Sequence, residues 1–115
     1  MTKTEFVEKL RVVGACIPAK EWVLSARGTP EELWHKCRKG HWMAWLVMAD
    51  LSSKGYEIRV IAMDLCGCAD IYEDDVWSDE ESAELADEVR NLYTWEDTIW
   101  ILNDEVRRIA SVLAQ

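Results

Sequence analysis

The chain has 115 residues, half of them hydrophobic and 30% charged, with a formal charge of −9. This composition excludes a disordered chain, and the length suffices for a single domain to bury a core without disulfides or metals. The charge excludes electrostatic binding to nucleic-acid phosphates or to an anionic membrane, and it leaves basic proteins and nucleic-acid-binding grooves as partners.

Thr2 and Glu5 have the spacing of a capping box, and Phe6, Leu10 and Val13 follow at helical intervals up to Gly14. Pro18 suits the first turn of a second helix, which carries Trp22 and Val23 and closes at Arg27 and Gly28. Thr29-Pro30-Glu31-Glu32 is the strongest start signal: a cap, a proline at the first helical position and two carboxylates that suit the dipole. Leu33, Trp34 and Cys37 follow, and Lys36, Arg38 and Lys39 occupy the expected last turn before Gly40.

The segment from His41 to Ala49 is apolar nearly all round, as a central buried helix would be. Asp50 to Lys54 is more polar, and Gly55 is the expected end. Residues 56–66 fit two periods: Tyr56, Ile58, Val60 and Ala62 alternate like a strand, and Ile58, Ile61, Ala62, Leu65 and Ala69 recur like a helix. Helical flanks and the lack of a pairing strand favour the helix, with a short strand at 56–62 as the alternative. Gly67 loosens or ends it.

Residues 70–77 are an acidic connection. Ser78 with Glu81 is a second capping box, followed by the stripe Leu85, Ala86, Val89, Leu92 and Tyr93. Thr94 with Asp97 resembles a third cap. The last helix aligns Trp95, Ile99, Leu102, Val106, Ile109, Ala110 and Leu113 on one face. The expected fold is all-α, a single bundle of about five to seven helices over residues 1–115.

Charge divides the chain. Residues 1–69 carry 10 Lys or Arg against 8 Asp or Glu, while residues 70–115 carry 3 against 14. The first part reads as a Trp-rich scaffold and the second as the working surface. Asp70, Glu73, Asp74, Asp75, Asp79, Glu80, Glu81, Glu84, Asp87 and Glu88 crowd one loop and one helix. Such a run is either a solvated face or a phosphate-like array that docks on a basic partner, where fields speed association and set specificity. Trp77 and Trp100 are the two rings expected to be exposed there as binding hot spots; the alternative is that both cover the edge of the core.

Chemistry is sparsely signalled. Two sets of soft ligands exist, His35, Cys37 and His41 in one and Cys66 and Cys68 in the other. Their spacing fits no standard zinc motif, and Cys37 lies on an apolar side where a thiol acts as a small hydrophobe. One residue separates Cys66 from Cys68, unlike a thioredoxin-type pair. There is no glycine-rich phosphate loop, no His-Glu-x-x-His pattern and no EF-hand loop, and neither histidine has a nucleophile assigned to it by sequence. The expectation is no catalytic residue, no metal and no cofactor, with a zinc-binding regulator or enzyme as the least favoured reading.

The first residues, MTKTEFVEKLRVVG, are amphipathic and lack the apolar core of a signal peptide, and no segment is long enough to span a membrane. A cytoplasmic location with the four cysteines as free thiols is expected.

Residues 15–46 carry A-C-I-P-A-K-E-W, then T-P-E-E-L-W-H-K-C, then H-W-M-A-W-L. This order resembles a group of small phage, prophage and bacterial proteins, some of them labelled immunity proteins. The resemblance implies an all-helical fold and a mobile-element origin. It rests on Trp22, Leu33, Trp34, Trp42, Trp45 and Leu46, which helix packing would also select, and it transfers no active site. Together with the acidic surface it leads to an expected function: an inhibitor of a host defence nucleoprotein or nuclease, of the anti-CRISPR or anti-restriction kind. The alternative is a toxin-neutralising immunity protein using the same surface.

Overall fold

The computed structural model describes residues 1–114. The fold is all-α: among the described residues there are seven α-helices, one 3-10 turn and no strand. The helices are α1 (Lys3–Val12), α2 (Ile17–Ser25), α3 (Pro30–Lys36), α4 (Gly40–Leu46), α5 (Ser53–Cys66), α6 (Asp79–Leu92) and α7 (Trp95–Leu113); the 3-10 turn is Asp74–Val76. The ambiguous 56–66 segment is helical, inside α5. The chain divides into two compact units, one comprising Met1–Lys36 and the segment from Trp95 onward, the other Cys37–Thr94.

In the first unit, local signals set the helix starts. The Glu5 amide donates to Thr2 Oγ1 at 3.1 Å and caps α1. At α3 the exchange is reciprocal: the Glu32 amide donates to Thr29 Oγ1 at 3.2 Å, and the Thr29 amide donates to Glu32 Oε1 at 3.0 Å. Two otherwise orphaned N–H groups are thereby satisfied. Phe6 of α1 meets Trp95 of α7 edge to face, with centroids 5.6 Å apart, and Trp34 lies 6.4 Å from the same indole. Such ring pairs add to the burial of Phe6, Leu10, Val23, Leu33 and Trp34.

The stripe of α7 is shorter than its pattern. Thr98, Ile101 and Leu102 are buried, while Val112 and Leu113 lie exposed at the far end, Leu113 at 80%. The periodicity runs past the point where the helix is covered.

The second unit is built on α6. Its inner face, Ser82, Leu85, Ala86 and Val89, is buried at helical spacing. α4 packs on this face and α5 packs on α6 as well. Two glycines take roles other than the expected helix ends. Gly40 is the first residue of α4 rather than a terminator of α3. A Cβ there would overlap the Ala86 nitrogen and the Ser82 carbonyl oxygen and lie 2.7 Å from Leu85 Cβ. Gly55 sits in the first turn of α5, where a Cβ would overlap the Asp50 carbonyl oxygen. Both are close-approach glycines, which sequence spacing does not distinguish from caps. The apolar run from His41 accordingly ends as helix at Leu46, and residues 47–52 form the connection to α5. Asp50 closes that connection: the Ser52 amide donates to its Oδ1 at 3.0 Å, and the Tyr93 hydroxyl donates to its Oδ2. Gly67 does behave as a stop, in the left-handed conformation at φ 64°, with its amide donating to the Met63 carbonyl at 2.9 Å.

Candidate functional site

The acidic segment lies wholly in the second unit. Ser78 and Glu81 start α6 by a complete capping box: the Glu81 amide donates to Ser78 Oγ at 3.1 Å and the Ser78 amide donates to Glu81 Oε1 at 3.2 Å. Asp79, Glu80 and Glu81 then face the positive end of the helix dipole. Because α6 buries one stripe, its other positions turn outward. Asp79, Glu80, Glu84 and Asp87 are exposed, and Glu81 and Glu88 are half-buried. In the preceding loop Asp70, Glu73, Asp74 and Asp75 are exposed.

These carboxylates divide into two groups. Asp74 and Glu81 are tied into the fold, while Asp79 pairs with Lys39 at 3.6 Å and Asp87 with Arg90 at 2.8 Å. Asp70, Glu73, Asp75, Glu80, Glu84 and Glu88 have no ion pair among the described residues. They are the side chains that leave negative charge uncompensated at the surface.

The loop is held down by a buried polar cluster. His41, on α4, is 2% exposed and uses both ring nitrogens. Nε2 contacts Asp74 Oδ1, and Nδ1 lies 2.9 Å from Ser82 Oγ on α6. A carboxylate only accepts, so Nε2–H donates to Asp74. Ser82 then donates to Nδ1 when the ring is neutral and accepts from it when the ring is charged. Trp42 Nε1 also donates to Asp74 Oδ1, at 3.2 Å. Trp77 stacks on the imidazole with centroids 5.9 Å apart and planes 9° from parallel, and its Nε1 donates to the Ile71 carbonyl at 2.9 Å.

Trp77 is therefore not an exposed hot spot. It is 9% exposed and pins the acidic loop from within. Its indole covers a buried histidine, and burying both together satisfies the polar edge of each ring. Trp100 is 66% exposed, as its position opposite the α7 stripe implies, but it belongs to the first unit and the acidic residues to the second. Of the earlier tryptophans, Trp34 is buried, and Trp22, Trp42 and Trp45 are half-buried.

Ser82, His41 and Asp74 have the residue types of a nucleophilic triad, which sequence order did not bring together. Their arrangement does not suit one. The serine is 1% exposed inside the α4–α6 contact, and the carboxylate is at the solvent end. In a working triad the hydroxyl faces substrate and the acid is buried. A signal was available in hindsight: Ser82 occupies a stripe position of α6 and His41 an apolar helix, and a buried polar group must find a partner.

The thiols are free. Cys37 is buried with its thiol 3.9 Å from the Lys39 carbonyl, and burial pushes its pKa up, as for an inert core thiol. Cys16 is exposed, Cys66 and Cys68 are half-buried, and His35 is exposed. Among the described residues no three His, Cys, Asp or Glu side chains are grouped to hold a metal ion. Among them also, no helix is long and apolar enough to cross a membrane. No protein-family model, curated protein or solved structure matches this chain.

Folding holds the Asp74 carboxyl below its ordinary pKa of 3.8. The hydrogen bond from His41 is the largest cause; the bond from Trp42 and the charges of His41 and Lys39 add to it against the opposing effect of burial. The unfolded chain thus binds this proton more readily than the native one. The contribution of Asp74 to stability is complete above the ordinary carboxylate pKa and is lost as pH falls through the depressed value. The urea midpoint should drop on acidification below about pH 5, and Asp74→Asn should flatten that drop. Equal acid sensitivity in the variant would show that the Asp74–His41 contact adds nothing to folding.

Proposed function

We propose that this protein acts by binding, as an inhibitor that lays its acidic loop and α6 on a basic groove of a nucleic-acid-handling protein. The observation that carries this reading is the set of exposed carboxylates without an ion pair among the described residues, Glu73, Asp75, Glu80 and Glu84 foremost, on a loop and helix fixed by Trp77, His41 and a capping box. Prearranged negative charge on a fixed backbone imitates a phosphate run, and it steers association without a conformational cost. The motif resemblance in residues 15–46 adds a phage or mobile-element setting. The host target is then a defence nucleoprotein or nuclease of the CRISPR or restriction kind, met in the cytoplasm. Binding, not turnover, is the activity proposed, and no cofactor is assigned.

The test is capture from a bacterial lysate on the immobilised protein, with and without duplex DNA and single-stranded RNA as competitors. The expected result is a nucleic-acid-handling protein released by salt and displaced by nucleic acid. Capture of a secreted toxin instead would move the assignment to toxin neutralisation. Capture indifferent to both salt and nucleic acid would contradict the groove.

A further inference from the structure

Apart from the acidic surface, three sulfur-bearing residues, Met63, Cys66 and Cys68, follow closely at the C-terminal end of α5. Met63 and Cys66 are three residues apart on the helix and so share a face, one turn from each other. Gly67 follows in the left-handed conformation and turns the chain back, and a Cβ on it would meet nothing within 4 Å. Cys68 comes next. The Cys66 thiol donates to the Cys68 carbonyl at 3.2 Å, so its sulfur already lies over residue 68.

These groups are reachable. Met63 is exposed and both cysteines are half-buried, in contrast to Cys37, which is packed away. The charge around them favours a cation. The last turn of α5 holds no basic residue, so the negative end of its dipole is uncompensated, and it contains Asp64. Asp70 follows two residues after Cys68, and Asp64 and Asp70 are both exposed.

We propose that Met63, Cys66 and Cys68 form a binding site for a soft monovalent cation of the copper(I) class. Two thiolates and a thioether are the donors such ions select, whereas structural zinc takes four N, O or S ligands, and among the described residues no three His, Cys, Asp or Glu side chains are grouped to hold it. On binding, each thiol releases its proton to solvent as its sulfur–metal bond forms, and the thioether donates a lone pair without losing a proton. No oxidant or reductant is involved.

Silver(I) alone, an air-stable ion of the same class, is the probe. It is titrated into the reduced full chain carrying Cys16→Ser, which removes the exposed thiol outside the site, and bound metal is counted by native mass spectrometry. One silver ion per chain is expected. Cys66→Ser and Cys68→Ser should each weaken binding by more than the ~10–100-fold typical of losing a supporting group at a metal site, and Met63→Leu by a smaller factor. None of the three residues belongs to the buried core, so these variants are expected to keep the fold, as unchanged circular dichroism would confirm. Undiminished affinity in either serine variant would overturn the site. Undiminished affinity in Met63→Leu would overturn its three-sulfur form.

Discussion

Replacing Gly40 by alanine should destabilise the protein by about 3 kcal/mol, the upper part of the range for overpacking a core. The added methyl would collide with the Ala86 nitrogen and the Ser82 carbonyl oxygen, which are backbone atoms of α6 and have no rotamer to move into. α6 is itself fixed by its capping box and its buried stripe. Relief therefore requires moving α4 away from α6, which opens the most extensive helix contact of the second unit. The sign of the effect is informative. At an open helical position the same change would stabilise by about 0.5–1 kcal/mol, because alanine restricts the unfolded chain and favours helix. A lower urea midpoint at unchanged slope is expected. A midpoint equal to or above that of the wild type would contradict the close approach of the two helices.

His41→Ala should cost a similar amount, about 3 kcal/mol, by a different route. The imidazole fills the space beneath Trp77 and satisfies Ser82, which is almost completely buried. Removing it leaves a cavity and an orphaned hydroxyl, and it frees the acidic loop from its anchor at Asp74. Ser82→Ala alone removes one hydrogen bond and should cost about 1 kcal/mol. The double variant should be less destabilised than the two single effects together, since the hydroxyl that His41→Ala strands is then absent. Chemical denaturation of the four proteins measures this coupling, and strict additivity would show that the two side chains do not act as a pair.

Much of the fold was legible because its signals are local. Thr2, Thr29 and Ser78 mark helix starts by chemistry that needs nothing from the rest of the chain. The stripe of α6 was legible because burial follows the helical period. What failed depends on tertiary approach. Gly40 and Gly55 look like stops in sequence, and only the proximity of α6 and of Asp50 reveals why they lack side chains. The face of α7 was overextended at Leu113 because periodicity says which side is apolar but not where its covering ends.

The candidate surface was half legible. Its charge could be counted, but its division into working and structural carboxylates could not. Asp74 and Glu81 look like their neighbours in sequence, yet one anchors the loop to His41 and the other caps α6. Trp77 was misplaced for the same reason: an indole within an acidic run suggests solvent, and its burial rests on a histidine more than thirty residues earlier.

That division sharpens the decisive experiment. Reversing Asp74 or Glu81 would disturb the fold as well as the surface, so the charge test belongs on Glu73, Asp75, Glu80 and Glu84, all exposed and without ion pairs among the described residues. The measurement is the affinity of the captured partner for the wild type and for the variant with these four residues changed to lysine, at low and physiological salt. The expected result is a folded variant that has lost partner binding and is less stable only by the ~1 kcal/mol that a lysine at position 80 costs beside the α6 dipole, with a wild-type affinity that weakens as salt rises. Equal affinity of the two proteins across that salt range would contradict the claim that this acidic face is where the protein works.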